Sequence, residues 1–345
     1  MTHLRVLGRD ERVDLPESLL ASVGFAGLDA WMFFTQKIYG FPVHRIVSES
    51  EAGIDGWLAL VHVKHPIFGN YLATSPFGSY GGFGYESVAV RDALLEKARE
   101  LAKALDVEHV NVRFEAGEES PPEGWIQNPN YSTFFVDLSS NTEELLRSFG
   151  SDHRNHVRKS LKKGFAIRFG GLELLDDTYE TLARSMRELG SPYHTRKYLR
   201  AMAEALGSAL EFAVMYSARG ELAGAGVFIL HGNVATNLHA NILRKFRPDY
   251  AGEFLYWSVI ERYCAKGFRT FDLGRSLNGS GNEVFKLKWK PRRQTLAYWY
   301  HLPNGGPLPE LNQKSPKFRL AIRVWKLLPQ FVVRALGPAL IRGIV

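Results

Sequence analysis

The order of predicted secondary-structure elements repeats between the two halves of the chain, and this repeat constrains the fold more than any other feature. In the first half, short strands precede a helix over 88–105, whose apolar residues recur at helical spacing, and a strand over 109–114 follows. In the second half, a meander of three strands precedes a helix over 252–266, and a further strand that contains Phe271 follows. Gly267 is expected to end this helix as a left-handed C-terminal stop. The repeat predicts an α/β fold of two tandem units, each a mixed, mainly antiparallel sheet flanked by helices.

The length and the turn-rich segments predict where these units begin and end. A chain of 345 residues is long enough for two domains. Prolines, glycines and asparagines between residues 121 and 130 read as a boundary. We therefore predict an N-terminal domain over 1–128, a C-terminal domain over 129–303 and a basic amphipathic tail over 304–345.

Composition excludes several classes of protein. The single cysteine, Cys264, cannot build a disulfide framework or a cysteine-rich metal site, and no set of His, Asp and Glu has zinc spacing. The first twenty residues lack the apolar core of a secretion signal, and no apolar run reaches membrane-spanning length. These features predict a cytoplasmic protein without a metal. The net charge of +7 favours an anionic partner, although it can also serve solubility alone.

The segment 271–289 combines an acid, bases, a glycine-rich turn and aromatic residues. Lys286 can stabilise the oxyanion that develops when an amine attacks an ester or thioester. Its alternative role is that of a solvated lysine in a half-buried strand. Asp272 can accept the proton of the attacking amine, or it can pair with Arg275 or Arg269. Arg275 itself can hold a phosphate or carboxylate.

Two further segments are strongly basic. Arg154, Arg158 and Lys162 recur every four residues and share one helix face, with no carboxylate between Arg154 and Lys163. This face predicts contact with a diphosphate or a tRNA backbone, and a solvated surface is the alternative. The segment 315–345 alternates basic and apolar residues and contains no acid. It either lies on an anionic membrane surface or docks on the core with a basic outer face.

Four stretches of the chain carry a resemblance to a known family. They are, in order, Trp31–Gly40 with 68–69 and 75–82, the basic helix 154–164, the segment 248–257, and the segment 271–289, and together they span about residues 30–300. The order of elements resembles the acyl-CoA N-acyltransferase (GNAT) fold present twice, and the motifs are most similar to its FemAB-like branch of peptidyl and aminoacyl transferases. Within that branch, the motifs look similar to those of members found with bacterial exopolysaccharide and exosortase systems.

The resemblance implies transfer of an acyl or aminoacyl group to an amino group of a cell-envelope precursor, of peptidoglycan or of exopolysaccharide. It places the transfer site at Phe285 and Lys286, and it places the phosphates of the acceptor at Lys37. We expect Tyr80 and Tyr193 to line the same groove between the domains. No tightly bound cofactor is implied, and the donor is either aminoacyl-tRNA or acyl-CoA. The inner face of the cell membrane is the implied location of a peripheral form.

The chain departs from two patterns of its relatives, and both concern the donor. Ordinary acetyltransferases bind the CoA pyrophosphate through a glycine-rich loop at a helix N-terminus. The equivalent segment here, 247–252, contains Pro248 and Asp249 and only one glycine. The long helical arm of many tRNA-dependent relatives has no room between Phe169 and Glu211. The alternatives are therefore a CoA-dependent N-acetyltransferase with an atypical loop and a non-catalytic, membrane-associated module of a polysaccharide assembly complex.

Overall fold

The structure is a computed structural model that describes residues 3–115, 120–309 and 316–345, and it divides into two compact units. Unit 1 takes the described residues within Met1–Ser132, Gln294–Glu310 and Arg342–Val345, and unit 2 those within Thr133–Arg293 and Leu311–Ile341.

Unit 1 is a mainly antiparallel sheet with helices packed on it. The strand order is β1-β2-β3-β4-β6-β15, and only the β4–β6 pair is parallel. The helix α3 packs on β2, β3 and β6 through its apolar stripe, as its spacing predicts. The elements of unit 1 are β1 (His3–Val6), α1 (Glu17–Val23), α2 (Asp29–Tyr39), β2 (Val43–Ser50), β3 (Gly53–His65), β4 (Gly69–Ala73), β5 (Phe83–Tyr85), α3 (Val88–Ala104), β6 (His109–Glu115), β7 (Ile126–Asn128) and β15 (Arg292–His301).

Unit 2 has a similar sheet in the order β8-β13-β12-β11-β10-β9, in which only β12 and β13 run parallel. Its elements are β8 (Tyr131–Asp137), α4 (Thr142–Ser148), α5 (Ser151–Leu161), β9 (Ala166–Gly170), α6 (Leu175–Leu189), α7 (Arg196–Leu206), β10 (Leu210–Tyr216), β11 (Leu222–His231), β12 (Val234–Ile242), α8 (Ala251–Ala265), β13 (Thr270–Asp272), β14 (Ser276–Leu277), α9 (Gly281–Leu287), α10 (Pro316–Leu327) and α11 (Gln330–Ile341).

The helix α8 lies at the centre of the core of unit 2. It packs on β11 and β12, and α5 packs on it in turn. Apolar residues occur on nearly every side of α8, which is the pattern of a helix buried all round. Gly267 adopts a left-handed φ of +81° just after the helix, as predicted for its C-terminal stop. The tandem, mainly antiparallel α/β architecture predicted from the sequence is confirmed.

The units differ from the predicted contiguous domains at their C-terminal limits. The strand β15 falls within the predicted second domain, 129–303, yet it pairs antiparallel with β6 of unit 1 from Leu296 to His301. The pairing with β6, which is distant in sequence, places β15 in unit 1, and the residues of β15 themselves do not indicate this partner. The predicted tail, 304–345, is also divided, because α10 and α11 belong to unit 2 and Arg342–Val345 to unit 1.

Candidate functional site

A notch forms in unit 2 where two parallel strands part. β13 pairs with β12 over only three residues and ends when Asp272 meets Thr236, while β12 continues to Ile242. The chain then turns at Gly274, whose φ is +77°. A Cβ at this position would lie 2.8 Å from the Asn237 carbonyl oxygen, so the turn requires glycine. The carbonyl groups that follow β13 are thereby free of the sheet ladder.

Lys286 points into this notch from the short helix α9. Ser280 caps the helix by accepting a hydrogen bond from the Glu283 amide. The Lys286 Nζ donates to the carbonyl oxygens of Gly274 at 2.6 Å and of Arg275 at 2.8 Å. The lysine is 3% exposed, and this burial lowers its pKa to about 7. The interpretation of this segment as a strand with solvated lysines is therefore wrong.

Asp272 supplies a buried carboxylate beside that amine. The residue has no exposed surface, and its Oδ1 accepts hydrogen bonds from the Thr133 hydroxyl at 2.5 Å and from the Gly274 amide at 2.8 Å. Its negative charge acts against burial by raising the pKa of Lys286. The structure thus brings together two of the three predicted catalytic residues. The protonation of Lys286 is set by two opposing effects, because burial lowers its pKa and the Asp272 carboxylate raises it.

Phe285, the third predicted catalytic residue, packs on α8. Its ring meets the ring of Tyr256 edge-on at 5.1 Å, and it packs against α8 near Gly252. Phe285 therefore fixes α9 on α8, and this contact orients its neighbour Lys286 toward Gly274.

Asn237 and Tyr256 complete the notch, and sequence reasoning missed both. The Asn237 Nδ2 donates to the Tyr256 hydroxyl at 2.9 Å and to the Leu273 carbonyl at 3.2 Å. Its Oδ1 is buried and has no hydrogen-bond partner, which leaves a buried acceptor for a ligand. No local sequence pattern marks Asn237, because the register shift of β12 against β11 beside it is a feature of the folded sheet.

The predicted binding residues on α5 differ in their roles. Arg154 donates to the carbonyl oxygens of Arg147 and Phe149 at the end of α4, so it joins two helices. Arg158 is exposed, as a phosphate ligand would need to be. Lys163 pairs with Asp249 at 2.7 Å, a carboxylate that lies far along the sequence. The basic face is consequently smaller than the sequence indicates.

The other predicted binding residues of unit 2 lie in two different environments. The Arg275 side chain is exposed, while its carbonyl accepts the Lys286 hydrogen bond. Tyr193 is buried against the rings of His194 and His239, at 5.5 and 5.6 Å between centroids. Burial lowers the pKa of His239 to about 4, so this cluster is neutral at physiological pH.

The segment before α8 contacts α5 through side chains. Residues Arg244–Asp249 form a 3-10 helix, and Tyr250 follows with a left-handed φ of +58°. The Tyr250 ring stacks on His156 at 4.5 Å, and the ammonium of Lys159 lies 5.9 Å from its centre. Together with the Lys163–Asp249 pair, these contacts engage the segment that the resemblance equates with the pyrophosphate loop of an acetyltransferase.

Lys37 lies on α2 of unit 1 at the edge of a cavity of about 370 Å³. Three cations and one carboxylate line this cavity, together with one amide and one aromatic ring. The lining residues are Arg9, Asp10, Arg12, Phe33, Gln36 and Lys37. Arg12 and Arg9 were not predicted, because they lie in an irregular segment with no helical or strand spacing. Tyr80, also of unit 1, packs against the buried cluster that contains Tyr298.

The tail docks on unit 2 through α10 and α11. The Trp325 indole donates to the Ser191 carbonyl at 3.1 Å, and the Arg187 Nε donates to the Leu328 carbonyl at 2.7 Å. Arg334 pairs with Glu180 of α6. Within the part of the chain that the structure describes, no helix is long and apolar enough to cross a membrane. The same described residues contain no cluster of His, Cys, Asp and Glu that could hold a metal ion.

Comparison with known proteins identifies the class of the domain that carries this notch. Residues 151–287 match the family profile of the acetyltransferase (GNAT) domain. The match places a GNAT-type domain within unit 2. No curated protein sequence matches the chain.

Solved structures extend this likeness to both units. The chain resembles FemX with a TM-score of 0.64 and 17% identity, over 87% of this chain and 95% of FemX. It resembles a tandem GNAT protein from the clavulanic acid biosynthesis pathway (0.54, 14%, over 81% and 89%). It also resembles the C-terminal domain of a putative lysylphosphatidylglycerol synthetase from Agrobacterium fabrum (0.54, 14%, over 81% and 91%). The predicted likeness to the GNAT fold present twice is confirmed at the level of the fold.

Proposed function

We propose that this protein transfers an aminoacyl group from an activated ester to an amino group of a phosphate-bearing cell-envelope precursor. The observation that carries the proposal is the buried Lys286 beside Asp272, in a notch of a GNAT-type domain. The names of two structural neighbours support it, since FemX bears the name of the FemAB-like branch and a lysylphosphatidylglycerol synthetase is named for joining lysine to a lipid.

The step forms one bond and breaks one. The amine nitrogen of the acceptor attacks the carbonyl carbon of the donor, and the carbonyl oxygen becomes an oxyanion. The ammonium of the buried Lys286 stabilises this charge. The carbon–oxygen bond to the donor then breaks, the leaving alkoxide takes up a proton, and the surplus proton of the amine passes to solvent. Asp272 is fully buried and held by two donors, so its proposed role is to favour the charged form of Lys286.

An in vitro transfer assay tests the proposal. The full-length protein is incubated with charged tRNA and with amine-bearing precursors extracted from the envelope, either nucleotide-linked or lipid-linked, and products are analysed by mass spectrometry. We expect a mass increase of one aminoacyl residue that resists hydroxylamine, as an amide does. Failure with every precursor and donor pair, in a preparation shown to be folded, would contradict the proposed reaction.

The first specific prediction is that the donor is not acetyl-CoA. Tyr250 contacts α5 and Asp249 pairs with Lys163 just after it. Pro248 has no backbone N–H to donate to a pyrophosphate, and the Asp249 carboxylate repels one. We therefore expect isothermal titration with acetyl-CoA to show no micromolar binding. Desulfo-CoA serves as a control for binding through the nucleotide alone. Saturable micromolar binding of acetyl-CoA would favour the CoA-dependent N-acetyltransferase instead.

The acceptor phosphates are proposed to bind in the cavity of unit 1. Lys37→Ala removes one of its three cations, and charge-assisted hydrogen bonds of this kind contribute about 1.5–3 kcal/mol. We expect the KM for the acceptor to rise by roughly 10- to 100-fold with little change in kcat. Lys103→Ala, at an exposed position outside the cavity, is the matched control. An unchanged KM in Lys37→Ala would remove this cavity from the binding site.

A further inference from the structure

The two C-terminal helices expose several large apolar side chains. Leu320 is 62% exposed, Leu327 is 82% exposed and Phe331 is 74% exposed, while Val324 and Leu336 are each about half exposed. Leu320, Val324 and Leu327 follow one another at the i, i+4, i+7 spacing that places them on one face of α10. Large exposed apolar residues grouped in this way on one helix face mark an interaction surface.

The exposed apolar face of α10 is not the face by which the helix packs on unit 2. Trp325 lies on the opposite side of the helix, where it is buried and donates to Ser191. In α11, Val333 and Gly337 are buried, and a Cβ on Gly337 would lie within 3.1 Å of the Tyr193 carbonyl. The helices are thus fixed on unit 2 by one face, and their other face is held toward solvent.

The charges around the exposed face determine which partner fits. Arg323 and Lys326 are both exposed on α10 next to the apolar residues, and residues 316–345 contain no aspartate or glutamate. Arg334 is already paired with Glu180 of α6. A second copy of the chain docked symmetrically would bring the same cations together, which opposes association. An anionic lipid surface supplies both an apolar layer and negative head groups.

We propose that α10 and α11 lie on an anionic membrane, with Leu327 and Phe331 in the boundary between acyl chains and head groups and with Arg323 and Lys326 against the lipid phosphates. The proposal goes beyond the transfer reaction and does not depend on it, because membrane binding is measured without donor or acceptor. It places the protein where a lipid-linked acceptor is found.

Vesicle flotation of the full-length protein tests this surface. We expect the protein to float with vesicles of phosphatidylcholine and phosphatidylglycerol in equal parts and to stay behind with pure phosphatidylcholine. The double variant Leu327→Ser, Phe331→Ser is expected to lose partition by roughly tenfold or more. Arg323→Gln with Lys326→Gln is expected to reduce partition into the anionic vesicles and to weaken its salt dependence.

The control is Ile67→Ser, which removes an apolar side chain that is 67% exposed in unit 1 and is expected to float like the wild type. All substituted positions are exposed, and thermal melting confirms that each variant is folded. Equal flotation with neutral vesicles, or unchanged flotation of the serine variant, would overturn the proposal. A dimer in sedimentation that the serine variant abolishes would also overturn it, since the surface would then join two copies.

Discussion

Replacing Lys286 with methionine is expected to lower kcat/KM for aminoacyl transfer by about 10²- to 10³-fold, which corresponds to about 2.7–4 kcal/mol of transition-state stabilisation. Methionine keeps most of the volume and lacks the ammonium that donates to Gly274 and Arg275. The measurement is steady-state transfer with saturating donor, together with the melting temperature of both proteins. Lys288→Met is the matched control, because Lys288 lies just after the same helix and is exposed.

The same substitution also has a predicted effect on stability. Burial lowers the pKa of Lys286 from 10.5 to about 7, so the unfolded chain binds one more proton than the folded chain between these values. The unfolding free energy of the wild type therefore rises with pH across this window, and below about pH 7 the buried charge exerts its full cost. The methionine variant should lack this rise and should not be less stable below pH 7. If the folded fraction of Lys286→Met transferred aminoacyl groups at the wild-type rate, Lys286 would have only a structural role, and its assignment to the transfer site would be wrong.

The sequence predicted those elements whose pattern is local. The apolar stripe of α3 and the glycine after α8 are read from neighbouring residues, and the structure confirms both. The strand β15 was not predicted, because its residues acquire their place only by pairing with β6. The helix α2 was missed as an element, although its tryptophan, Trp31, was recognised as part of a motif.

The candidate site shows the same division. Lys286 and Asp272 were predicted from the chemistry of their segment, but its alternation of aromatic and basic residues also allowed a strand. The segment is instead a short helix, capped by the Ser280 hydroxyl, which accepts a hydrogen bond from the Glu283 amide, and Lys286 points inward from this helix. Asn237 could not be predicted, because its role follows from the parting of β12 and β13, a tertiary event. For the same reason Asp249, distant in sequence, could not be foreseen as the partner of Lys163.

Replacing Asp272 with asparagine is expected to lower the unfolding free energy and to shift the pH profile of transfer. The carboxylate accepts hydrogen bonds from Thr133 and Gly274 inside the protein, and hydrogen bonds to buried charged groups contribute about 1.5–3 kcal/mol. We expect a loss of about 1–3 kcal/mol in chemical denaturation, since asparagine can still accept these bonds. Asp137→Asn, at the exposed end of the neighbouring strand β8, is the control.

The shift of the pH profile separates an electrostatic role of Asp272 from a merely structural one. If Lys286 acts as an ammonium, kcat/KM of the wild type falls as the pH rises above about 7, where Lys286 loses its proton. Asp272 raises the pKa of Lys286, so its neutralisation moves this descending limb to lower pH, and each unit of displacement costs about tenfold in activity on that limb. Thr133→Val, which keeps the carboxylate and removes one donor, should leave the limb in place while it lowers stability. If the descending limb of the pH profile stayed in place in Asp272→Asn, the carboxylate would only support the turn at Gly274. The bound substrate would then be the group that keeps Lys286 protonated.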